Sequence, residues 1–422
     1  MITRSRLLAG VSAALVVVLV GPGALAGTIR DDTSDSLYTS LANTTQYASV
    51  GQFVTPMYST GTSTVDYMGS GTLVGPQWVL TAAHVADNFD TGIGTTTFTI
   101  GGKTYTPTEV VDNPSWDPNN QAASMAAGDD LSLVKLSAPV TNVVAAGRYT
   151  GTTASLSGKT ITYVGFGSTG TGLTGSALSQ TVLTMGSFIK RAGQNVVATQ
   201  AGATAFDAVW GGGTPINTTN VFVSQFLDPR GNTDAKLPVL NKNYPLVDAT
   251  ITKPLALGYS IAPGDSGGGA FINGPSGLQL VGINDFGEGP GSNPGMYGDI
   301  SADVSISSWN SWINSVIGLV YPWGNPAKFR YLTAPNLGWK PVADGPAWKS
   351  GIIGVGGVSS LYPWKISPGN VHTRYGMDAE ADILDGVDSG LTPGDITGAP
   401  EPASAVLLLA GLPLLLRRRI TR

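Results

Sequence analysis

The sequence predicts an all-β body with many turns, and three observations carry that expectation. Glycine (57) and proline (27) are abundant enough to punctuate the chain every few residues. Short apolar runs alternate with Thr and Ser, which is the period-two pattern of half-buried strands. Helical periodicity is scarce and concentrates near residue 310. Charged residues make up only 12% and the net charge is −5, which leaves no basic footprint for nucleic acid. The chain has no cysteine, so a thiol nucleophile, a disulfide framework and a Cys-ligated zinc site are excluded.

The elements follow in chain order. Arg4 and Arg6 precede an apolar stretch from Leu7 to Val20, and Ala24-Leu25-Ala26 has the small-x-small pattern of a signal-peptidase site. Residues 1–26 are therefore expected to be a signal peptide, the protein exported and its mature start Gly27. Residues 27–45, with Asp31, Asp32 and Asp35, read as a polar lead-in. From 46 to 318 runs a series of strand-length segments: "ASVGQFV", "SGTLV", "QWVLTA", "TTTFTI", "LSLVKL", "KTITYVGFG" and "LQLVGI". Turn signals such as Gly101-Gly102 and Asn273-Gly274 separate them. The stretch "DVSISSWNSWINSVI" (303–317) changes period. Trp309, Ile313, Val316 and Ile317 fall on one helical face, with Ser307 or Ser308 as a cap. Residues 319–385, rich in Gly, Pro and Trp, read as a small β module without a motif, and 386–399 as a linker. The final segment, "PEPASAVLLLAGLPLLLRRRITR", joins Pro400-Glu401-Pro402, an apolar run from Ala403 to Leu416 and three arginines. That run falls short of the roughly 20 residues of a comfortable membrane span. The arginines resist translocation, so the body is expected outside with only transient membrane contact through the tail.

Three short motifs carry the chemistry. "VLTAAHVAD" (79–87) sets His84, one of two histidines, directly after a strand-like run. A lone histidine is ordinarily a satisfied structural residue, so its partners decide. A hydroxyl becomes a useful nucleophile at neutral pH when a base takes its proton, and that base works best when a carboxylate fixes its tautomer. "APGDSGGGAF" (262–271) places Ser266 among small residues that permit a tight turn and expose backbone N–H groups. "GDDLSLVKL" (128–136) places Asp129 and Asp130 just before an alternating strand.

Together these motifs resemble the chymotrypsin/trypsin-type serine proteases, over about residues 46–318. "SGTLVGPQWVLTAAHV" resembles the strand leading to the family's catalytic histidine, and "DLSLVKL" the strand after its aspartate. "GDSGGGAF" resembles the nucleophile loop, and "LVGINDFG" the strand that lines the substrate. The order His, Asp, Ser is the order that fold uses. The resemblance implies two six-stranded antiparallel β-barrels with the site in the cleft between them, followed by the C-terminal helix. It implies Ser266 as nucleophile, His84 as general base and then acid, and Asp130, rather than Asp129, as the orienting carboxylate. The N–H groups of Gly264 and Ser266 would form the oxyanion hole. Ser260 matches the pocket floor, Gly287 and Gly295 its walls, with Asp285, Phe286 and Tyr297 nearby. An uncharged floor implies preference for a large apolar side chain before the scissile bond. No cofactor or metal is implied, and the partner is a protein or peptide substrate.

The sequence also departs from the family. Gly69 and Val85 stand where the family has disulfide cysteines near the histidine, and Ala262 replaces another. Residues 187–220 lengthen the stretch between Asp130 and Ser266 and read as an inserted surface loop. Asp265 matches the acid that in the family pairs with a newly exposed amino terminus, usually Ile or Val. Signal removal would expose Gly27 instead. Either a second cut occurs or Asp265 finds another partner. The tail resembles the PEP-CTERM sorting signal of exosortase systems, which implies processing by signal peptidase and an exosortase-type enzyme. Its implied destination is the cell surface or matrix of a Gram-negative-type bacterium. Two other readings remain open at this stage. Gly264-x-Ser266-x-Gly268, with His372 downstream, fits an α/β-hydrolase elbow, though the strand-like residues that follow disfavour the helix it needs. A catalytically silent binding module of the cell surface or matrix is the non-enzymatic alternative.

Overall fold

The computed structural model describes residues 27–59, 64–90, 94–177, 189–210, 214–231, 246–274, 276–289 and 294–318, with the short strands at 329–331, 340–341 and 373–376. The expected signal peptide, the linker, the C-terminal tail, His372 and most of the 319–385 module lie outside the described residues.

Two curled antiparallel half-barrel sheets dominate. The first is built from β2 (Val50–Ser59), β3 (Thr64–Leu73), β4 (Trp78–Thr81), β5 (Thr97–Ile100), β6 (Lys103–Tyr105), β7 (Pro107–Asp112) and β8 (Ser132–Leu136). Their order is β7-β8-β4-β3-β2-β5-β6, extended beyond β7 by β18 (Phe329–Tyr331) and β19 (Lys340–Pro341). The second sheet runs β12-β9-β15-β16-β17-β13. Its strands are β9 (Thr160–Gly165), β12 (Arg191–Val196), β13 (Val221–Gln225), β15 (Gly269–Gly274), β16 (Gly277–Gly289) and β17 (Ile300–Ser305), and β20 (Thr373–Gly376) pairs with β16. A smaller sheet joins β1 (Gly27–Ile29), β10 (Thr169–Thr171), β11 (Gly175–Ala177) and β14 (Tyr259–Ser260). The two half-barrel sheets are consistent with the expected chymotrypsin-like fold, although the first draws seven strands, not six, from the central chain. The chain's N- and C-terminal parts add strands: β18 pairs with β7 at the edge of the first sheet, β20 with the far end of β16, and β1 with β10 and β14.

Strand alternation explains where the core sits. Side chains of successive strand residues point to opposite faces. On β4, Val79 packs with Phe53, Phe98 and Val134 inside the first sheet. Its neighbour Leu80 turns the other way, with Leu133, onto Val164, Phe271 and Ile283 of the second sheet. β4 therefore contributes to both cores. Its end, where the chain leaves for His84, lies where the two sheets meet.

Three segments differ from the sequence expectation. Residues 27–45 are an integral part of the fold: β1 pairs with β10 and β14, and Tyr38 on α1 (Asp35–Ala42) is fully buried, donating its hydroxyl to Gly258 O at 3.1 Å. Within the supposed surface insertion, β12 is a buried strand paired with β9, followed by α4 (Gln200–Trp210). The C-terminal helix starts later than its periodicity implies, because residues 300–305 are strand β17. After a single 3₁₀ turn, α5 spans Asn310–Ile317 with no side-chain cap, burying Trp312, Ile313 and Val316. Trp309 stays at the rim and donates its indole N–H to Gly128 O at 2.8 Å.

β12 carries a fully buried arginine, Arg191, which forks onto Asp35 of α1, with Nη2 to Oδ2 at 2.8 Å. A guanidinium cannot shed its charge, so this pair ties the N-terminal helix to the second sheet. Asp35→Ala should lower stability by about 3 kcal/mol by leaving that cation buried without its carboxylate. Urea unfolding checks it, and a loss within error of zero would mean the fork contributes nothing.

Candidate active site

His84 stands on a single helical turn, α2 (Ala83–Asp87), immediately after β4. The backbone N–H of His84 donates to Asp130 Oδ1 at 2.8 Å and its Nδ1 hydrogen-bonds Asp130 Oδ2. Of the two candidate aspartates, Asp130 meets the histidine. Asp129 stays partly accessible, its carboxyl pushed up by burial and by the charge of Asp130. Asp130 is placed by a helix end: α3 (Gln121–Ala127) stops at Gly128, whose φ of +76° turns the chain into β8. Burial alone would raise the Asp130 carboxyl, but the His84 charge and its hydrogen bonds, with one from Asp285, hold it below the usual range.

Ser266 sits in the loop before β15, fully buried, with its hydroxyl donating to Asp285 O at 3.3 Å. The Asp285 side chain lies close to the His84–Asp130 pair: one imidazole nitrogen of His84 and one carboxylate oxygen each of Asp130 and Asp285 lie within 4.8 Å of one another, all three residues being buried. Asp285 thus links the three motifs, its carbonyl facing Ser266 and its carboxyl facing the His84–Asp130 pair. Read from sequence as a neighbour of the substrate pocket, Asp285 belongs to the back of the histidine–aspartate pair.

The loop carrying Ser266 is clamped onto the first sheet. Ser70 of β3 donates its N–H to Ser266 O at 2.8 Å and its hydroxyl to Gly264 O at 2.9 Å, while accepting from Phe166 N at 3.0 Å. Gly267 approaches so closely that a Cβ there would lie 2.0 Å from Thr81 Oγ1, and its φ is +82°. Only glycine fits. The N–H groups of Asp265, Gly267 and Gly268 are bonded to Ala262 O, Asn284 O and Asp265 O. Those of Gly264 and Ser266 are the two in this turn with no backbone acceptor among the described residues. Ser70 escaped the sequence reading because nothing local marks it; its partners lie far along the chain.

The structure also answers how the histidine turn is held without cysteines. A Cβ on Gly69 would lie 2.5 Å from Val85 Cγ1, so the valine fills the space beside the glycine and braces α2 against β3 by packing. Asp265 has found another partner than a second-cut terminus: it accepts from Gly167 N at 2.8 Å, Ala262 N at 3.0 Å and the Tyr259 hydroxyl at 3.0 Å. Gly27 lies against that hydroxyl, since a Cβ on it would come within 1.9 Å.

The positions matched to a pocket are all buried. Ser260 contacts Ser301 Oγ at 3.4 Å, and Gly295 packs on Thr28, whose Oγ1 would be 2.4 Å from a Cβ there. Ser260 and Thr28 face each other in the β1–β14 ladder, so Thr28 stands between the expected floor and wall. Phe286 and Gly287 lie on β16 just beyond Asp285, along the stretch that pairs with β20.

Asp265 generates a prediction. Burial, working against three donors, raises its carboxyl from the ordinary 3.8 to about 6. The folded chain then holds this proton to higher pH than the unfolded chain, so stability is full below pH 3.8 and falls as pH rises through 6. For a chain still joined at Ala26-Gly27, thermal melts should lose about 3 kcal/mol across this window, and Asp265→Asn should remove that loss. Parallel profiles for the two proteins would show that Asp265 does not titrate there.

Among curated proteins, none matches the chain. The trypsin family model matches residues 43–220, which contain His84 and Asp130 and end before Ser266. That match, with the two curled antiparallel half-barrel sheets, supports a chymotrypsin/trypsin-type serine protease.

Proposed function

We propose that this chain is an exported serine endopeptidase that cleaves peptide bonds through Ser266, His84 and Asp130. The observation that carries the reading is the hydrogen-bonded His84–Asp130 pair, joined through Asp285 to the hydroxyl of Ser266. In this mechanism Ser266 Oγ attacks the scissile carbonyl carbon as its proton passes to His84 Nε2. Asp130 holds the other ring nitrogen and stabilises the imidazolium. The N–H groups of Gly264 and Ser266 receive the developing oxyanion. His84 then returns the proton to the leaving amine, and water releases the acyl group by the same steps in reverse.

The floor at Ser260 carries no charge, which supports preference for a large apolar residue before the cut. His84→Ala and Ser266→Ala should each lower turnover by about 10⁴-fold or more, whereas His372→Ala should retain most of it. An activity-based phosphonate should label wild type and not Ser266→Ala, and a peptide library should show Phe, Tyr, Leu or Met before the scissile bond. Labelling that survives Ser266→Ala would overturn the assignment, and dominant cleavage after Lys or Arg would overturn the pocket reading.

Both ends enter the proposal. Cleavage after Ala26 would leave the α-ammonium of Gly27 beside Tyr259 and near Asp265. A cation there favours the ionised carboxylate, so one cut would both export the chain and complete the loop under Ser266. The Pro400-Glu401-Pro402 tail would be removed on the way to the cell surface or matrix. Intact-mass spectrometry of the protein from its native host should find a chain that begins at Gly27 and lacks Arg417 to Arg422. A dominant species that keeps those arginines would make the tail an anchor.

A further inference from the structure

β16 has two edges, and its partners divide them. β17 takes one edge from Gly282 to Glu288, with the register slipping past Asp285 in a bulge. β15 takes the other edge only as far as Ile283, which pairs with Gly269. From there the loop bearing Ser266 holds that edge. Asn284 N donates to Gly268 O at 2.9 Å, Gly267 N donates to Asn284 O at 2.9 Å, and Ser266 Oγ donates to Asp285 O at 3.3 Å. The residues that follow, Phe286 to Gly289, pair with β20. Since β17 already occupies the opposite edge at Phe286, Gly287 and Glu288, β20 lies on the edge of β15 and Ser266.

The register also gives β20 a direction. It runs antiparallel to β16, with Thr373 opposite Gly289 and Gly376 opposite Phe286. Its C-terminal residue is therefore the one next to Asp285, whose carbonyl receives the Ser266 hydroxyl. Adding an extended strand to an open sheet edge is a general mode of peptide recognition, in which main-chain bonds give affinity and side chains select. A peptide on this edge, with its carbonyl to be attacked by Ser266, would lay the residues before that carbonyl along Phe286 to Gly289 and point their C-terminal end at the nucleophile. The backbone of β20 has that edge and that direction. A strand that only shielded the edge from other chains could run either way.

We propose that residues 373–376 are a built-in competitor for peptide substrate, seated on the edge of β16 where the acyl side of an extended substrate would pair. An incoming peptide gains this edge by displacing β20, and because β20 belongs to the same chain its local concentration does not fall on dilution. The proposal rests on the serine-protease reading for the substrate it excludes, whereas the seating of β20 does not.

The test uses the full chain and two phosphonates directed at Ser266, one carrying a single Phe and one a tetrapeptide ending in Phe. Hydrogen exchange at the amides of residues 373–376 should quicken about 100-fold after labelling with the tetrapeptidyl probe and stay unchanged after labelling with the short one. Tyr375→Pro with Gly376→Pro removes a ladder N–H whichever of the two faces β16. This double variant should lower KM for a tetrapeptide anilide about 10-fold with kcat within about twofold, while the short phosphonate labels at an unchanged rate. Protection of 373–376 that survives tetrapeptidyl labelling overturns the proposal, as does an unmoved KM in a double variant that still labels normally. The exchange measurement needs no variant, so it decides even where the double variant does not fold. A folded wild type that takes neither probe overturns the protease reading, and with it any substrate for β20 to exclude.

Discussion

The His84–Asp130 pair is a charge relationship set where two sheets meet and both side chains are buried. An ionised carboxylate in such a place is costly unless donors surround it. Asp130 has them: the His84 backbone N–H, the imidazole and Asp285. Supplying those donors constrains most of the neighbourhood. β4 must end one residue before α2, α3 must stop at a left-handed Gly128, and β16 must bulge at Asp285. Each is a backbone arrangement that delivers one polar group to one point, and the apolar alternation on β4 and β8 excludes solvent around it.

The loop bearing Ser266 meets a different demand, since a tight turn buried between sheets must satisfy its own backbone. Asp265 does so from below by accepting from Gly167, Ala262 and Tyr259, while Ser70 does so from the first sheet. Families that staple such loops with disulfides gain stiffness covalently. At the histidine turn the valine at 85 against the glycine at 69 supplies packing instead, and packing tolerates less change. A larger residue at 69 would push α2, and with it His84, away from Asp130.

His84, Asp130 and Ser266 were legible because each lies in a short word whose neighbours have local physical reasons: small residues for a turn, an alternating run for a strand. Asp285 was legible as a residue but not in its role, because its direction depends on a register shift that no local pattern announces. Ser70 and Tyr259 were hidden for a similar reason, their partners being remote in the chain. The strands of the first sheet could be read from alternation, whereas β12, "RAGQNV", could not. It is buried with an arginine at its head, and its pairing with Asp35 converts an apparently polar segment into core. Residues 27–45 misled likewise: their acids face Arg30, Arg191, Arg230 and Tyr297 instead of solvent alone.

A common physical pattern connects the buried acids. Asp265, Asp285 and Asp303 have no solvent exposure, and burial pushes the carboxyls of Asp265 and Asp303 upward. Asp303 accepts from the Tyr163 hydroxyl and Asp265 from the Tyr259 hydroxyl, both of which are neutral partners. Charge in this part of the molecule is therefore governed by where protons reside more than by ion pairing. A proton gained or lost at Asp265 therefore changes the charge of the loop under Ser266. In a core this tightly packed, electrostatics is the degree of freedom that remains.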